Sequence, residues 1–147
     1  MSKKSENNHA QIKKRVEAAI RKAEEGDINN MIIIARVYSH GEYFPKDYIA
    51  AEAWLRKAAE LGSDEAKKQL AKLLSEGNGI AQDYEEAFDI YHDLMLDCDL
   101  DAMTEVGIAY KYGRGVPQDD KKASYFINQA FEIELDLMEH EKRKMNN

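Results

Sequence analysis

Apolar residues recur every three or four positions along most of the chain, the pattern of amphipathic helices with one packed face. In YIAAEAWLRKAAELG, Ala51, Trp54, Leu55 and Ala58 share a face, and in the preceding runs Ile34 and Tyr38, Leu70 and Leu74, and Val106 and Tyr110 are spaced four apart. The polar interruptions are as regular as the apolar runs. HGEYFPKDYIAAEAW, EGNGIAQDYEEAFDI and YGRGVPQDDKKASYF begin at His40, Glu76 and Tyr112, 36 residues apart. A glycine just past an apolar run lets the chain enter the left-handed conformation that ends a helix, so Gly41, Gly77 and Gly113 are expected stops. Asp47, Asp83 and Asp119 each precede a second run and are expected to accept its free N–H groups as N-caps. Asp83-Tyr84-Glu85-Glu86 also has the spacing of a reciprocal capping box.

Each period therefore predicts a helix, a tight loop and a second helix. Small residues recur at Ala35, Ala71 and Gly107 on the first helix and at Ala51, Ala87 and Ala123 on the second, where they let two backbones approach closely. One helical pair cannot bury its apolar face alone, so stacked neighbours must supply the core. The expectation is an all-α domain spanning 1–147 with three repeats over about 28–63, 64–99 and 100–134. VEAAIRKAEEGD predicts a detached second helix over about 9–26, because Arg21-Lys22-Ala23 and Gly26 echo Arg56-Lys57-Ala58 and Gly62. The last helix reads past its expected stop as FEIELDLMEHEKRK, with Lys142, Arg143 and Lys144 suited to a helix C-terminus. A helical extension over about 135–147 is thus the second cap.

Composition narrows the function classes. With 44% hydrophobic and 33% charged residues and only two prolines, the chain reads as a folded, helix-rich protein and not as a disordered tail. A net charge of −7 argues against nucleic-acid binding, which rests on clustered Lys and Arg. The charge is uneven: residues 1–26 hold seven Lys/Arg against four Asp/Glu, whereas 80–141 hold four against sixteen. No apolar window suits a signal-peptide core or a membrane span, and a lone Cys98 cannot form an internal disulfide, so a cytoplasmic protein without membrane insertion is expected.

The run Ala102-x-x-x-Val106-Gly107-x-x-Tyr110-x-x-Gly113-x-Gly115-Val116-Pro117-x-Asp119, followed by Lys122-Ala123, resembles the Sel-one-like repeat, a relative of the tetratricopeptide repeat. The likeness covers about residues 18–131 in three copies of one register. It implies a right-handed α/α superhelix, or solenoid, serving as a protein-interaction adaptor, often in bacterial signalling or host-contact systems, and it implies no catalytic centre. Three departures stand out: Tyr43 replaces the second loop glycine, Ala81 replaces the proline of Pro45 and Pro117, and YHDLMLDCD places Leu94 and Met95 at the sites of Ala58 and Ala59. Cys98 then stands where Gly62 ends its helix. Bulk at normally small sites predicts a splayed or shifted junction between the second and third repeats.

The residues offer little chemistry. YGRGV follows a helix and lacks the third glycine or Gly-Lys-Ser/Thr ending of a phosphate cradle. His9, His40, His92 and His140 are scattered at no metal-ligand spacing, and Cys98 is read as a small, partly buried apolar residue. Asp97, Asp99 and Asp101 lack the glycine-centred loop of a calcium site and are read as caps and solvated charge. Tyr110, Tyr125 and Phe126 are read as core. No cofactor, metal or enzymatic activity is expected.

By the resemblance, a partner peptide or protein lies on the concave surface lined by first helices. The residues implied are Asn29, Ile32, Arg36 and His40, then Lys68, Lys72 and Ser75, then Thr104, Ile108, Lys111 and Tyr112. Arg36, Lys68, Lys72 and Lys111 would make a basic stripe suited to an acidic segment or a chain-terminal carboxylate. Two other readings compete: an acidic inhibitor or immunity-type protein acting through the face around 83–105, and a hydrolase.

Overall fold

The 36-residue period is realised as seven helices in the computed structural model, which describes residues 3–41 and 43–146, with side chains from residue 8 onward. Residues 1, 2, 42 and 147, and with them the outer bounds expected for the domain, lie outside the described residues. The order is α1 (Lys3–Glu24), α2 (Ile28–His40), α3 (Tyr48–Glu60), α4 (Asp64–Glu76), α5 (Tyr84–Leu96), α6 (Leu100–Tyr112) and α7 (Asp120–Met145). No described residue is in a strand. No described helix is long and apolar enough to cross a membrane.

The helix boundaries follow from capping chemistry at both ends. The Asp47 carboxylate accepts Ala50 N–H at 2.9 Å, Asp83 accepts Glu86 N–H at 2.9 Å, and Asp119 accepts Lys121 and Lys122 N–H at 3.0 Å each. Gly41, Gly77 and Gly113 close α2, α4 and α6 in the left-handed conformation, as their place in the period requires. A second set of caps obeys the same period, and only its third member, Asp99, is among the caps expected from the sequence. Asp27, Ser63 and Asp99 accept the N–H groups of Asn30, Ala66 and Ala102 and open α2, α4 and α6. The Asn30 N–H bond holds the Asp27 carboxyl below the usual aspartate range.

The corners between repeats share one hydrogen-bond pattern. Gly26 N–H bonds Ala23 O and Asp27 N–H bonds Lys22 O, as Gly62 bonds Ala59 and Ser63 bonds Ala58. This register pairs Lys22 with Ala58 and Ala23 with Ala59, correcting by one residue the alignment read from Arg21-Lys22-Ala23. The third corner keeps the pattern despite its bulk: Cys98 N–H bonds Met95 O at 3.0 Å and Asp99 N–H bonds Leu94 O at 3.1 Å. The corner expected to splay is closed by the same two bonds as its regular counterpart, because Leu94 fits inside the packing at 1% exposure.

Cys98 takes the left-handed conformation (φ 66°) that glycine takes at Gly26 and Gly62, and it is exposed, not partly buried as expected. A Cβ added at Gly26 or Gly62 meets nothing within 4 Å, so this corner leaves room for any side chain and charges it only for its backbone conformation. Cys98→Gly is therefore expected to stabilise the fold by about 1 kcal/mol, measured by urea unfolding. An unchanged or lowered midpoint would contradict this account.

The chain divides into two compact units, Met1–Gln82 and Asp83–Asn147. In the first, α1 packs on α2, α2 on α3 and α3 on α4. Its core is Ala23, Met31, Ile34, Ala35, Ala51, Leu55, Ala58, Ala66, Leu70, Ala71, Leu73 and Leu74, drawn from the periodic apolar positions. In the second, α6 packs on both α5 and α7 around Ala87, Leu94, Ala102, Val106, Ala109, Ala123 and Ala130. The small-residue rule is visible at the α6–α7 crossing, where a Cβ on Gly107 would stand 3.2 Å from Ala123 O and 2.7 Å from Ile127 Cγ1. Aromatic rings bridge all three helices of this unit: Phe88 meets Tyr110 edge-on at 5.6 Å, and Tyr110 stacks on Phe126 at 5.9 Å. Tyr125 corrects its expected place in the core, since it is 61% exposed and only its edge meets Phe126. Successive positions on α7 face different directions, and Tyr125 lies one residue off the packed stripe of Ala123, Phe126 and Ala130.

Candidate partner-binding groove

In the first unit the two first helices, α2 and α4, flank a groove of about 440 Å³ whose floor is α3. Ala35, Ala51, Leu55 and Leu73 form an apolar base, each buried. They are the helical-period residues that also make the core, so the base is held rigidly. Arg36, Ser39 and His40 rise from α2, Gln69, Lys72 and Glu76 from α4, and Lys46 and Tyr48 from the end of the loop and the start of α3. The rim thus carries three full cations, Arg36, Lys46 and Lys72, against one carboxylate, Glu76, in a chain whose net charge is −7.

The rim groups are only lightly engaged. Lys72 Nζ lies 3.9 Å from Glu76 Oε1 with 71% of its side chain exposed, an arrangement in which attraction is weak and the cation stays available. Neither Arg36 nor Lys46 has an ion pair among the described residues. His40 Nδ1 lies 2.9 Å from Arg36 O, which ties the ring to the last turn of α2 and orients it. Gln69 donates to Glu65 at 2.7 Å, which draws that carboxylate away along α4.

Of the residues expected to face a partner, the groove brings together Arg36, His40 and Lys72. Ser75 and Asn29 are outside its lining, and Ser75 Oγ donates back to Lys72 O at 2.9 Å. Ile32 and Lys68 are half-buried, and Lys68 has an interaction partner of its own. Thr104, Ile108, Lys111 and Tyr112 belong to the second unit. There Thr104 Oγ1 donates to Leu100 O at 3.1 Å, Ile108 is half-buried, and Lys111 Nζ lies 5.7 Å from the ring of Tyr112. Arg114 stands over the same ring at 5.2 Å and over Tyr84 at 5.3 Å. Lys46 was missed because it comes from the loop and not from a first helix. The signal for it was present in its place directly after Pro45 and immediately before the Asp47 cap.

Asp97, Asp99 and Asp101 sit around the α5–α6 corner, where Asp99 caps α6 and Asp101 occupies its first turn. Among the described residues no group of three or more His, Cys, Asp or Glu is placed to hold a metal ion.

Comparison with known proteins agrees with the repeat architecture. The Sel1 repeat model matches residues 31–63, 64–92 and 100–132. Its middle match stops short of Leu94, Met95 and Cys98, where the sequence leaves the pattern. The Sel1-repeat-containing protein YjcO of Escherichia coli K12 is 29% identical over 115 residues, covering 76% of this chain and 50% of that protein. The chain therefore spans about half the length of the curated relatives it matches. Among solved structures, c5321, a protective antigen of uropathogenic Escherichia coli strains with an SLR fold, superposes with a TM-score of 0.73 at 30% identity, over 80% of this chain and 25% of that one. A Sel1 repeat protein from Oxalobacter formigenes gives 0.70 at 29% identity, over 78% and 87%. Cysteine rich protein B of Helicobacter pylori, at 21% identity over 82% and 90%, gives 0.60 and shares the fold. The fold class is the all-α, α/α-solenoid class of these structures, and the chain belongs to the Sel1-repeat family.

Proposed function

We propose that this chain is a non-enzymatic adaptor that holds an acidic segment of a partner protein in the groove between α2 and α4. Sel1-repeat proteins are generally protein-interaction scaffolds, and their solenoid fold is typically non-catalytic. The observation that carries the finer reading is the groove itself: a rigid apolar base rimmed by Arg36, Lys46 and Lys72 in an acidic protein. Cations around an apolar floor orient carboxylates while the floor takes an adjoining apolar side chain. Exposed cations at a rim act mainly on encounter rate and salt dependence, so the expected affinity is moderate and falls as salt rises.

The test uses a panel of synthetic peptides that join two or three carboxylates to an apolar residue, read by fluorescence anisotropy. The double variant Arg36→Glu/Lys72→Glu is expected to weaken binding at least about tenfold, since it removes two charge-assisted contacts and adds repulsion. Undiminished binding by the double variant would sink the assignment of this groove.

A further inference from the structure

The last turns of α7 present a face that nothing in the described chain covers. Every described residue from Phe131 to Asn146 is exposed, although Phe131, Leu135 and Met138 remain 59%, 43% and 49% accessible as large apolar side chains. At about 100° per residue these three fall on one narrow stripe. Glu132 and Glu139 border it on one side and Glu134 and Glu141 on the other, so it is an apolar ridge between two acidic rows.

The opposite end of the chain offers the complement. Between α1 and α2 lies a separate groove of about 690 Å³ whose apolar side chains include Val16, Ile33, Val37 and Tyr43. Arg15 and Lys22 stand at its edge, and no carboxylate lines it. Ile33 and Tyr43 are 40% and 42% exposed, more than packed positions of a helical pair allow. An apolar ridge with acidic flanks and an apolar groove with basic edges match in both hydrophobicity and charge. Pairing two α7 ridges side by side in parallel would instead set glutamate rows against glutamate rows.

We propose that the chain associates with itself head to tail, the α7 ridge of one copy seated in the α1–α2 groove of a second copy. The contact joins two different surfaces, one ridge and one groove per copy, so association continues into chains or closes into a ring of two or more copies. The lining of the α1–α2 groove shares no residue with the Arg36–Lys72 groove.

The experiment is sedimentation velocity across about 1 µM to 1 mM, the span of weak to moderate protein contacts. The wild type is expected to rise in mean mass with concentration. Arg15→Glu/Lys22→Glu makes both ridge and groove edge acidic, and Glu132→Lys/Glu134→Lys/Glu139→Lys/Glu141→Lys makes both basic, so each variant alone is expected to remain monomeric or to associate at least about tenfold more weakly. All six positions are exposed, and circular dichroism of each variant checks that the helices are intact. Mixed one to one, the two variants are complementary again at both surfaces, and association is expected to return. A wild type that stays monomeric, association unmoved by either reversal, or a mixture no heavier than its components overturns the proposal.

Discussion

Gly115→Ala is expected to cost about 3 to 5 kcal/mol, a large share of the stability of a small domain, and to lower the unfolding midpoint of the second unit accordingly. Two effects add. Gly115 has φ 74°, where an L side chain is disfavoured by about 1–2 kcal/mol. Its new Cβ would also meet the backbone of the preceding repeat, abutting Tyr84 O and lying 2.6 Å from Tyr84 C and 2.9 Å from Glu85 Cα. Those atoms belong to the first turn of α5, which Asp83 caps, so they cannot yield as a side-chain tip could. The control is Gly62→Ala. It pays a comparable backbone cost at φ 89° but meets nothing within 4 Å, so about 1 kcal/mol is expected. Urea unfolding of the two variants side by side separates conformation from contact, and equal losses would remove the close approach as the cause.

Leu94→Ala is expected to destabilise by about 3 kcal/mol, although it restores the residue that Ala58 and Ala130 place at the same point of the period. The repeat pattern alone would rank this change as an improvement. Packing decides otherwise, because Leu94 is 1% exposed and is among the three largest fully buried side chains. Its surroundings have adapted to a larger group, and truncation leaves a cavity that the helices fill only in part. A gain in stability would show that the junction is under strain after all.

The period made the fold legible because it is written in residues with narrow physical roles. Glycine at the helix stops and aspartate before the second helices each do something few other residues do, and their spacing alone set the order of the elements. The caps of the first helices were equally periodic, but of them only Asp99 was expected, since Asp27, Ser63 and Asp99 share an acceptor oxygen and not an identity. At Leu94 and Cys98 the departure was legible and its outcome was not. Whether extra bulk splays a corner or is absorbed depends on the volume its neighbours leave, which one-dimensional pattern does not carry. The groove was legible in part for a similar reason. Arg36, His40 and Lys72 follow from helical phase, whereas Lys46 and Tyr48 reach the rim from a loop and a helix start whose direction only the folded chain defines.

The close approach at Gly115 has a counterpart at Gly79, which lies against the ring of Tyr48. In both cases a loop glycine of one repeat rests on the first residue of the second helix of the repeat before it. At the N-terminal end the sizes are inverted: Tyr43 holds the glycine position, and it shares a groove with Ile12, 36 residues ahead of Tyr48. An interior block of 36 residues therefore carries matching halves of a joint at its two ends and can be duplicated or deleted with every joint remade. The N-terminal block has no such symmetry. An inserted copy of an interior block is consequently expected to keep its glycine–tyrosine joints, whereas a copy of the block that carries Tyr43 would bring a tyrosine to the place where Gly79 and Gly115 pack.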